Sequence, residues 1–303
     1  MKKIIFLIAL VLLVSGCDEE VVEDGPFVGG TNGLTIDFAD GAPLSEFSST
    51  DSVPVKVTLK NDGEYDLPEN SAEVALYGLA MSDFGLSADY VQVSQGILGI
   101  KKDFIEEGGL TTVDMGTISY QGEIPNYINP TLRAKVCYPY QTESGITVCA
   151  SSREIDETGG ESVCSISGEK YTATRVSSSP VTITSFTEEL RETDKVKFVI
   201  EVENKGLGEP YADDYDCSEL DAAIKADQRG KVHFRVVPDD VTCVSYDGSE
   251  GSEGYIKLDQ GARTLICSMP VENTGSSYTR EVKVFLDFKY TQSIPKPLTI
   301  LEA

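Results

Sequence analysis

The strongest candidate for a metal site is the acidic stretch YADDYDCSELD, residues 211–221. Clustered carboxylate oxygens are the ligands that calcium prefers. The spacing does not fit an EF-hand loop, which needs alternating aspartates, a central glycine and a terminal glutamate. We prefer the alternative, a solvated acidic loop that leads into a helix whose N-terminus favours carboxylates. The candidate calcium ligands are Asp213, Asp214, Asp216, Glu219 and Asp221.

The residue types that enzymes use are scarce in this chain. His233 is the only histidine, so no second histidine completes a catalytic triad or a zinc site. The alternation in KVHFRVV places His233 on the surface of a strand. The sequence contains no Gly-x-Ser-x-Gly motif and no phosphate-binding loop. These observations indicate a protein that is not an enzyme.

Aromatic composition distinguishes between the kinds of partner. The chain has 14 tyrosines and no tryptophan. Exposed tyrosines suit contacts with other proteins, whereas sugar-binding sandwiches usually stack the sugar on tryptophan. We therefore expect other surface proteins as partners, with calcium or glycan binding as the alternative function.

The N-terminus has the organisation of a secretory signal peptide, residues 1–16. A basic head, Met1-Lys2-Lys3, precedes an unbroken apolar run of eleven residues at positions 4–14. A membrane-spanning helix needs about 20 apolar residues, so this run is too short to cross a bilayer. The pattern predicts export and removal of the segment.

Val14-Ser15-Gly16-Cys17 resembles the lipobox of prokaryotic lipoproteins, with valine where leucine is commoner. The resemblance implies cleavage before Cys17 and a diacylglycerol on its thiol, which would anchor the protein at the outer face of the cell or in the periplasm. The alternative is a plain signal peptide followed by a disulfide cysteine. Seven cysteines leave one without a partner in an oxidising compartment, and this odd number favours the lipid.

Residues 17–32 are rich in acidic residues and glycine and lack periodicity, so they predict a solvated tether between the lipid and the first domain. The tether's carboxylates would repel an anionic membrane surface. The whole chain has a net charge of −25. Phosphate binding needs a basic surface, so this charge excludes nucleic acid as a partner.

Two stretches of the chain repeat each other: STDSVPVKVTLKNDGE, residues 49–64, and ETDKVKFVIEVENKGLGE, residues 192–209. Each ends in an Asn-x-Gly turn, at Asn61 and Asn204, an offset of 143. Later in each copy, Tyr140 lies opposite Tyr290 at an offset of 150. The chain is therefore interpreted as a tandem duplication, with a first copy at residues 33–152, a linker at 153–179 and a second copy at 180–303.

Short alternating segments in each copy predict half-buried strands joined by turns. Examples are residues 55–59 and 197–202, and separate strands are also expected at 132–140 and 145–150 with a turn at 142–145. Six or seven such strands per copy predict an all-β fold, two tandem immunoglobulin-like β-sandwiches. A short helix capped at Ser218 and ending near Gly230 is expected as an insertion in the second copy.

Strands that end in Asn-x-Gly, in a secreted tandem behind a lipobox, resemble the CARDB-like immunoglobulin-type modules of bacterial and archaeal surface proteins. The resemblance covers both copies and implies an adhesive or architectural role. It transfers no site residues to this chain. The core tryptophan of antibody-type domains is missing here.

The six cysteines after Cys17 predict three disulfides whose pairing the sequence alone does not determine. Expected strand neighbours favour Cys137 with Cys149 across a hairpin, and Cys243 with Cys267. The remaining pair, Cys164 and Cys217, would fasten the otherwise flexible linker to the second copy. The second choice joins Cys217 to Cys243 and Cys164 to Cys267. Zinc binding by these thiols is disfavoured because no Cys-x-x-Cys spacing occurs.

Overall fold

The computed structural model describes residues 25–120, 122–151, 163–165, 168–190, 195–220, 227–271 and 277–303. The predicted all-β class is confirmed. The nineteen strands in these residues are β1 (Leu34–Phe38), β2 (Glu46–Ser48), β3 (Val53–Asn61), β4 (Glu73–Tyr77), β5 (Val91–Gln92), β6 (Leu110–Ile118), β7 (Tyr127–Ile128), β8 (Thr131–Ala150), β9 (Gly168–Glu169), β10 (Val181–Leu190), β11 (Lys195–Asn204), β12 (Glu209–Tyr211), β13 (Lys231–Val237), β14 (Thr242–Val244), β15 (Glu250–Gly251), β16 (Glu253–Lys257), β17 (Ala262–Pro270), β18 (Tyr278–Pro297) and β19 (Thr299–Leu301).

Helical structure is minor in the described residues. The helix α1 (Cys217–Leu220) begins where the inserted helix was expected, and residues 221–226 of that prediction lie outside the described residues. Two short 3₁₀ turns occupy Met81–Phe84 and Ala173–Arg175.

The strands form four sheets. Two of them contain the same three-strand order and are called the small sheets here; the third, with seven strands, is the large sheet, and the fourth is a minor sheet. The first copy contributes β1-β3-β6, and the second contributes β10-β11-β17 within the order β15-β14-β17-β11-β10-β9. The large sheet has seven strands in the order β16-β13-β18-β8-β4-β5, with β12 also paired to β18. A further sheet has the order β2-β19-β7. The large sheet therefore crosses the predicted boundary between the copies.

Strands β8 and β18 pair antiparallel along all 20 residues of each strand. Their register places Pro139 directly opposite Lys289. These two residues are also each other's counterparts in the duplication, at the offset of 150. A residue that pairs with its own counterpart lies on a twofold axis, so the copies are related by a pseudo-twofold axis through this pair. We call the region around it the waist.

Side-chain alternation explains how the layers stack. Every even-numbered residue of β8 from Leu132 to Ala150 is buried, as is every even-numbered residue of β18 from Val282 to Tyr290. One face of the β8–β18 pair therefore lines the cores of both copies. Strand β1 contacts β18, and β10 contacts β8, so each small sheet packs on the long strand of the other copy.

Four aromatic side chains form a closed cycle at the waist. Ring centroids are 5.9 Å apart for Tyr138–Tyr140, 6.2 Å for Tyr140–Phe288, 6.1 Å for Phe288–Tyr290 and 5.8 Å for Tyr290–Tyr138. All four side chains are buried. Packed aromatic pairs of this kind stabilise a core beyond their area burial, so the two copies share one core at this point.

The Asn-x-Gly motif makes the same contacts in both copies. In the second copy, Tyr290 donates a hydrogen bond of 3.0 Å to the Asn204 side-chain oxygen, which also accepts the Gly206 amide at 3.2 Å. In the first copy, the Asn61 oxygen accepts hydrogen bonds from Tyr140 at 3.3 Å and the Gly63 amide at 3.2 Å. The motif thus ties the end of β3 or β11 to the aromatic cycle.

The predicted turn at residues 142–145 is wrong, because β8 continues through it. The Thr142 hydroxyl donates to the Val181 carbonyl, and the Glu143 amide donates to the Ser177 hydroxyl at 2.9 Å. Ser144 is buried and forms a β-bridge with Val176. Polar residues of this kind normally mark a solvated turn. Here their hydrogen-bonding groups find partners in residues 176–181, about 35 residues further along the chain.

The disulfide predictions are confirmed for Cys243–Cys267 and wrong for the other two bridges. The pairs are Cys137–Cys217 and Cys149–Cys164. Since β8 is one strand, Cys137 and Cys149 are separated by roughly 40 Å at about 3.3 Å per residue. Cys137 instead faces away from the core and meets α1, which lies in the second copy. This bridge, and not the linker cysteine, joins the two copies covalently.

Candidate functional site

The structure does not bring the acidic stretch together as a metal site. Asp213 accepts a hydrogen bond of 2.9 Å from the Tyr255 hydroxyl. Asp221 lies outside the described residues, and the side chain of Glu219 is not described. The described residues contain no group of three or more potential metal ligands. Calcium binding therefore stays a prediction that no observed geometry favours.

His233 has neighbours that the sequence did not reveal. Its Nδ1 atom lies 3.8 Å from an Asp213 oxygen, and its ring lies 5.0 Å from that of Tyr255. Burial and the Asp213 carboxylate raise the pKa of the Tyr255 hydroxyl well above its usual value. The hydroxyl therefore stays protonated, and it donates to Asp213. The register of β13 with β16 brings this cluster together, because it places His233 opposite Tyr255. That pairing could not be read from the sequence.

Glu188 is a buried carboxyl group, and such groups often mark catalytic sites. Its side chain is 0% exposed, the Cys149 amide donates to both its oxygens at 3.0 and 3.1 Å, and Lys170 lies 3.4 Å away. Burial raises the pKa of Glu188 to about 7, although the Cys149 amide and Lys170 oppose the shift. Because the carboxyl group is closed off from solvent, we assign it a structural role beside the Cys149–Cys164 bridge.

A third cluster lies at the waist and is centred on Glu64. This carboxylate is only 7% exposed. One oxygen accepts the Val28 amide at 2.9 Å; the other accepts the Gly29 amide at 3.0 Å and the Ser178 amide at 2.7 Å. A charged acceptor with three backbone donors is a strong arrangement. Glu64 thus connects the N-terminal segment, the predicted linker and the first copy.

The predicted tether is corrected by these contacts, because residues 25–32 are packed on the fold. The Gly25 amide donates to the Thr174 hydroxyl at 3.1 Å, and the Phe27 amide donates to the Thr174 carbonyl at 3.1 Å. A Cβ atom on Gly25 would lie 1.9 Å from that carbonyl oxygen, so only glycine fits there. The rest of the predicted tether, residues 17–24, lies outside the described residues.

The predicted linker is likewise partly ordered. Strand β9 pairs with β10 through Glu169, whose carboxylate accepts the Phe186 amide at 2.7 Å. Residues 176–179 are buried at the waist. Residues 153–162 and 166–167 of the predicted linker lie outside the described residues.

A loop from the first copy completes the waist site. Lys101 donates to the Glu64 carbonyl at 2.7 Å and forms an ion pair with Asp66 at 3.1 Å. Lys102 donates to the Gly25 carbonyl at 2.8 Å. The loop and the docked segment border a groove of about 420 Å³, whose walls include Phe27 and Phe104.

The two copies differ at this position. Leu207 is the counterpart of Glu64 at the offset of 143, and it is fully exposed. The second copy also replaces the long loop with a tight turn in which Asp259 and Ala262 bridge each other. Within the described residues, docking of the N-terminal segment is therefore a property of the first copy, and its only sign in the sequence is the acidic residue after Asn-x-Gly.

The chain matches no protein-family model and no curated protein sequence. Functional conclusions therefore rest on the residues and geometry described above.

We expect the buried Glu188 to make stability depend on pH. Its pKa is higher in the folded state than its ordinary value of 4.5, so the folded protein holds a proton that the unfolded chain releases. This contribution is complete below pH 4.5 and is lost as the pH rises to about 7. Compared with wild type, E188Q should gain about 3 kcal/mol of unfolding free energy over that interval.

Denaturant unfolding across this pH range measures the difference. The matched control is E189Q, which changes a more exposed glutamate on the same strand and should follow the wild-type profile. Parallel profiles for E188Q and wild type would contradict the assigned pKa.

Substitution of Glu64 should loosen the N-terminal segment. E64A leaves three backbone amides without their acceptor, which should cost on the order of 3 kcal/mol of unfolding free energy. Hydrogen exchange at Val28, Gly29 and Ser178 should accelerate together. E64Q keeps one acceptor oxygen and should have an intermediate effect. The control E69A removes an exposed glutamate and should change neither quantity; unchanged exchange in E64A would contradict the docking role.

Proposed function

We propose that this protein is a non-catalytic lipoprotein of the cell surface, anchored by a diacylglycerol on Cys17, with a structural, adhesive or protein-binding role. The observation that carries the proposal is the cysteine inventory. The three disulfides use all six cysteines other than Cys17. Three disulfides are typical of exported proteins, and Cys17 has no cysteine left to pair with in its own chain.

In the described residues, no helix has the length and apolar character to span a bilayer.

A second observation supports attachment through the N-terminus. The segment that follows the proposed anchor is docked on the fold from Gly25 onwards, through Thr174 and Glu64. A lipid on Cys17 would therefore hold the folded body by a short connection.

The body that we propose for this anchor is a pair of immunoglobulin-like sandwiches of the CARDB-like type. The shared sheet, the aromatic cycle and the Cys137–Cys217 bridge support a rigid unit rather than two independently moving domains. Exposed tyrosines such as Tyr127 and Tyr246 are suitable contacts for surface proteins. No observation in the described residues favours calcium or glycan binding over this role.

The anchor is tested by C17S in the native host. The variant should move from the membrane fraction to the medium or the periplasm, because the thiol that carries the lipid is gone. S15A keeps a small residue before Cys17 and should remain membrane-bound. Mass spectrometry of the wild-type N-terminal peptide should find a diacylglyceryl cysteine. C17S that still sediments with membranes after a high-salt wash would contradict the proposal.

A further inference from the structure

The loop beside the docked N-terminal segment exposes an unusual amount of apolar surface. Phe104 is 88% exposed, and Leu98 and Leu110 at the base of the same loop are 56% and 63% exposed. Exposed apolar groups that lie together usually mark a surface for binding. This loop has no equivalent in the second copy, where the chain turns at Asp259–Ala262.

Phe104 is held in place by the backbone around it. The Phe104 amide donates to the Lys101 carbonyl at 3.1 Å, and Lys101 and Ile105 exchange two backbone hydrogen bonds of 2.9 and 3.0 Å. Asp103 closes this turn with a φ of +66°. The loop is fastened to the waist, since the Ile100 amide donates to the Gly63 carbonyl at 2.7 Å. An exposed ring on a fixed turn binds without a large ordering cost.

The position of Phe104 relative to the proposed anchor indicates that the surface it binds is the membrane. Lys102 contacts the Gly25 carbonyl, so the loop stands at the point where the chain leaves the fold toward Cys17. Only residues 18–24 separate the proposed anchor at Cys17 from Gly25, and the chain from Cys17 to Gly25 spans at most roughly 28 Å. A lipid at Cys17 would therefore keep the Phe104 loop within reach of the bilayer surface at all times.

We propose that the Phe104 loop inserts into the leaflet that holds the Cys17 lipid, so that the waist faces the membrane with a sandwich on either side. This inference rests on the proposed lipid anchor. Lys101 and Lys102 are offset by Asp103, Glu106 and Glu107 in the same loop. The contact is therefore apolar in origin and should not need anionic lipid. This proposal replaces the expectation that the acidic tether, residues 17–32, keeps the folded domains away from the membrane.

The absence of tryptophan from the chain permits a direct test. In the mature chain, Cys17 is the only cysteine outside the three disulfides, so it can be coupled to a maleimide phospholipid in neutral phosphatidylcholine vesicles. This coupling supplies the anchor whether or not the cell lipidates Cys17. The variant F104W then carries the only tryptophan of the chain, at the loop tip. The control L44W places it at an exposed leucine of the first copy away from the waist, beside Ser45, whose carbonyl accepts the amide of Thr299, ten residues beyond Lys289.

On coupling, F104W emission should shift to shorter wavelength and be quenched by phospholipids brominated on their acyl chains. L44W emission should stay as it is in solution. Unchanged F104W emission would overturn the inference, and so would equal quenching of both variants, which would mean that no particular face meets the lipid. If Cys17 is lipidated in cells but F104W fails this test, the proposed orientation is wrong and the proposed anchor stands. If Cys17 is unmodified in cells, the proposed anchor is wrong, and the vesicle experiment still tests the orientation.

Discussion

The antiparallel pairing of β8 with β18 is the interaction on which the rest of this structure depends. Each strand gives its buried face to both copies, so neither core is complete without the strand of the other copy. The register that sets Pro139 against Lys289 also closes the aromatic cycle of Tyr138, Tyr140, Phe288 and Tyr290. The two copies therefore share one large sheet, and a pseudo-twofold axis through this strand pair relates them.

The waist created by this pairing is where the two copies diverge. Asn61 and Asn204 keep the same contacts with their tyrosines, but Glu64 binds the N-terminal segment while Leu207 is exposed. The first copy therefore has a docking site for the N-terminal segment, and also a loop that exposes Phe104. Because the N-terminal segment docks at the waist, the proposed membrane attachment would place the two copies on either side of the proposed anchor rather than in line above it.

Periodicity was sufficient to predict the local structure. The alternation in β3, β11 and β13 reported which side chains are buried, and the Asn-x-Gly turns and the offset of Tyr140 to Tyr290 located equivalent positions. Long-range contacts were not predictable, because Thr142 to Gly145 have the composition of a turn and only their distant partners, such as Ser177 and Val181, satisfy them within a strand. The two wrong disulfide predictions, Cys137–Cys149 and Cys164–Cys217, both follow from the turn that was predicted there. The docking role of Glu64 was hidden for the same reason.

Hydrogen exchange at residues 140–146 tests the shared strand pair most directly. In a continuous β8, the amides of Gln141 to Gly145 lie within the pairing with β18, opposite Lys283 to Asp287. They should exchange as slowly as those of Val284 to Phe288, and the two sets should become exposed in the same global unfolding event. Fast exchange at residues 142–145, with protected strands on either side, would restore the hairpin and contradict a body built on one strand pair.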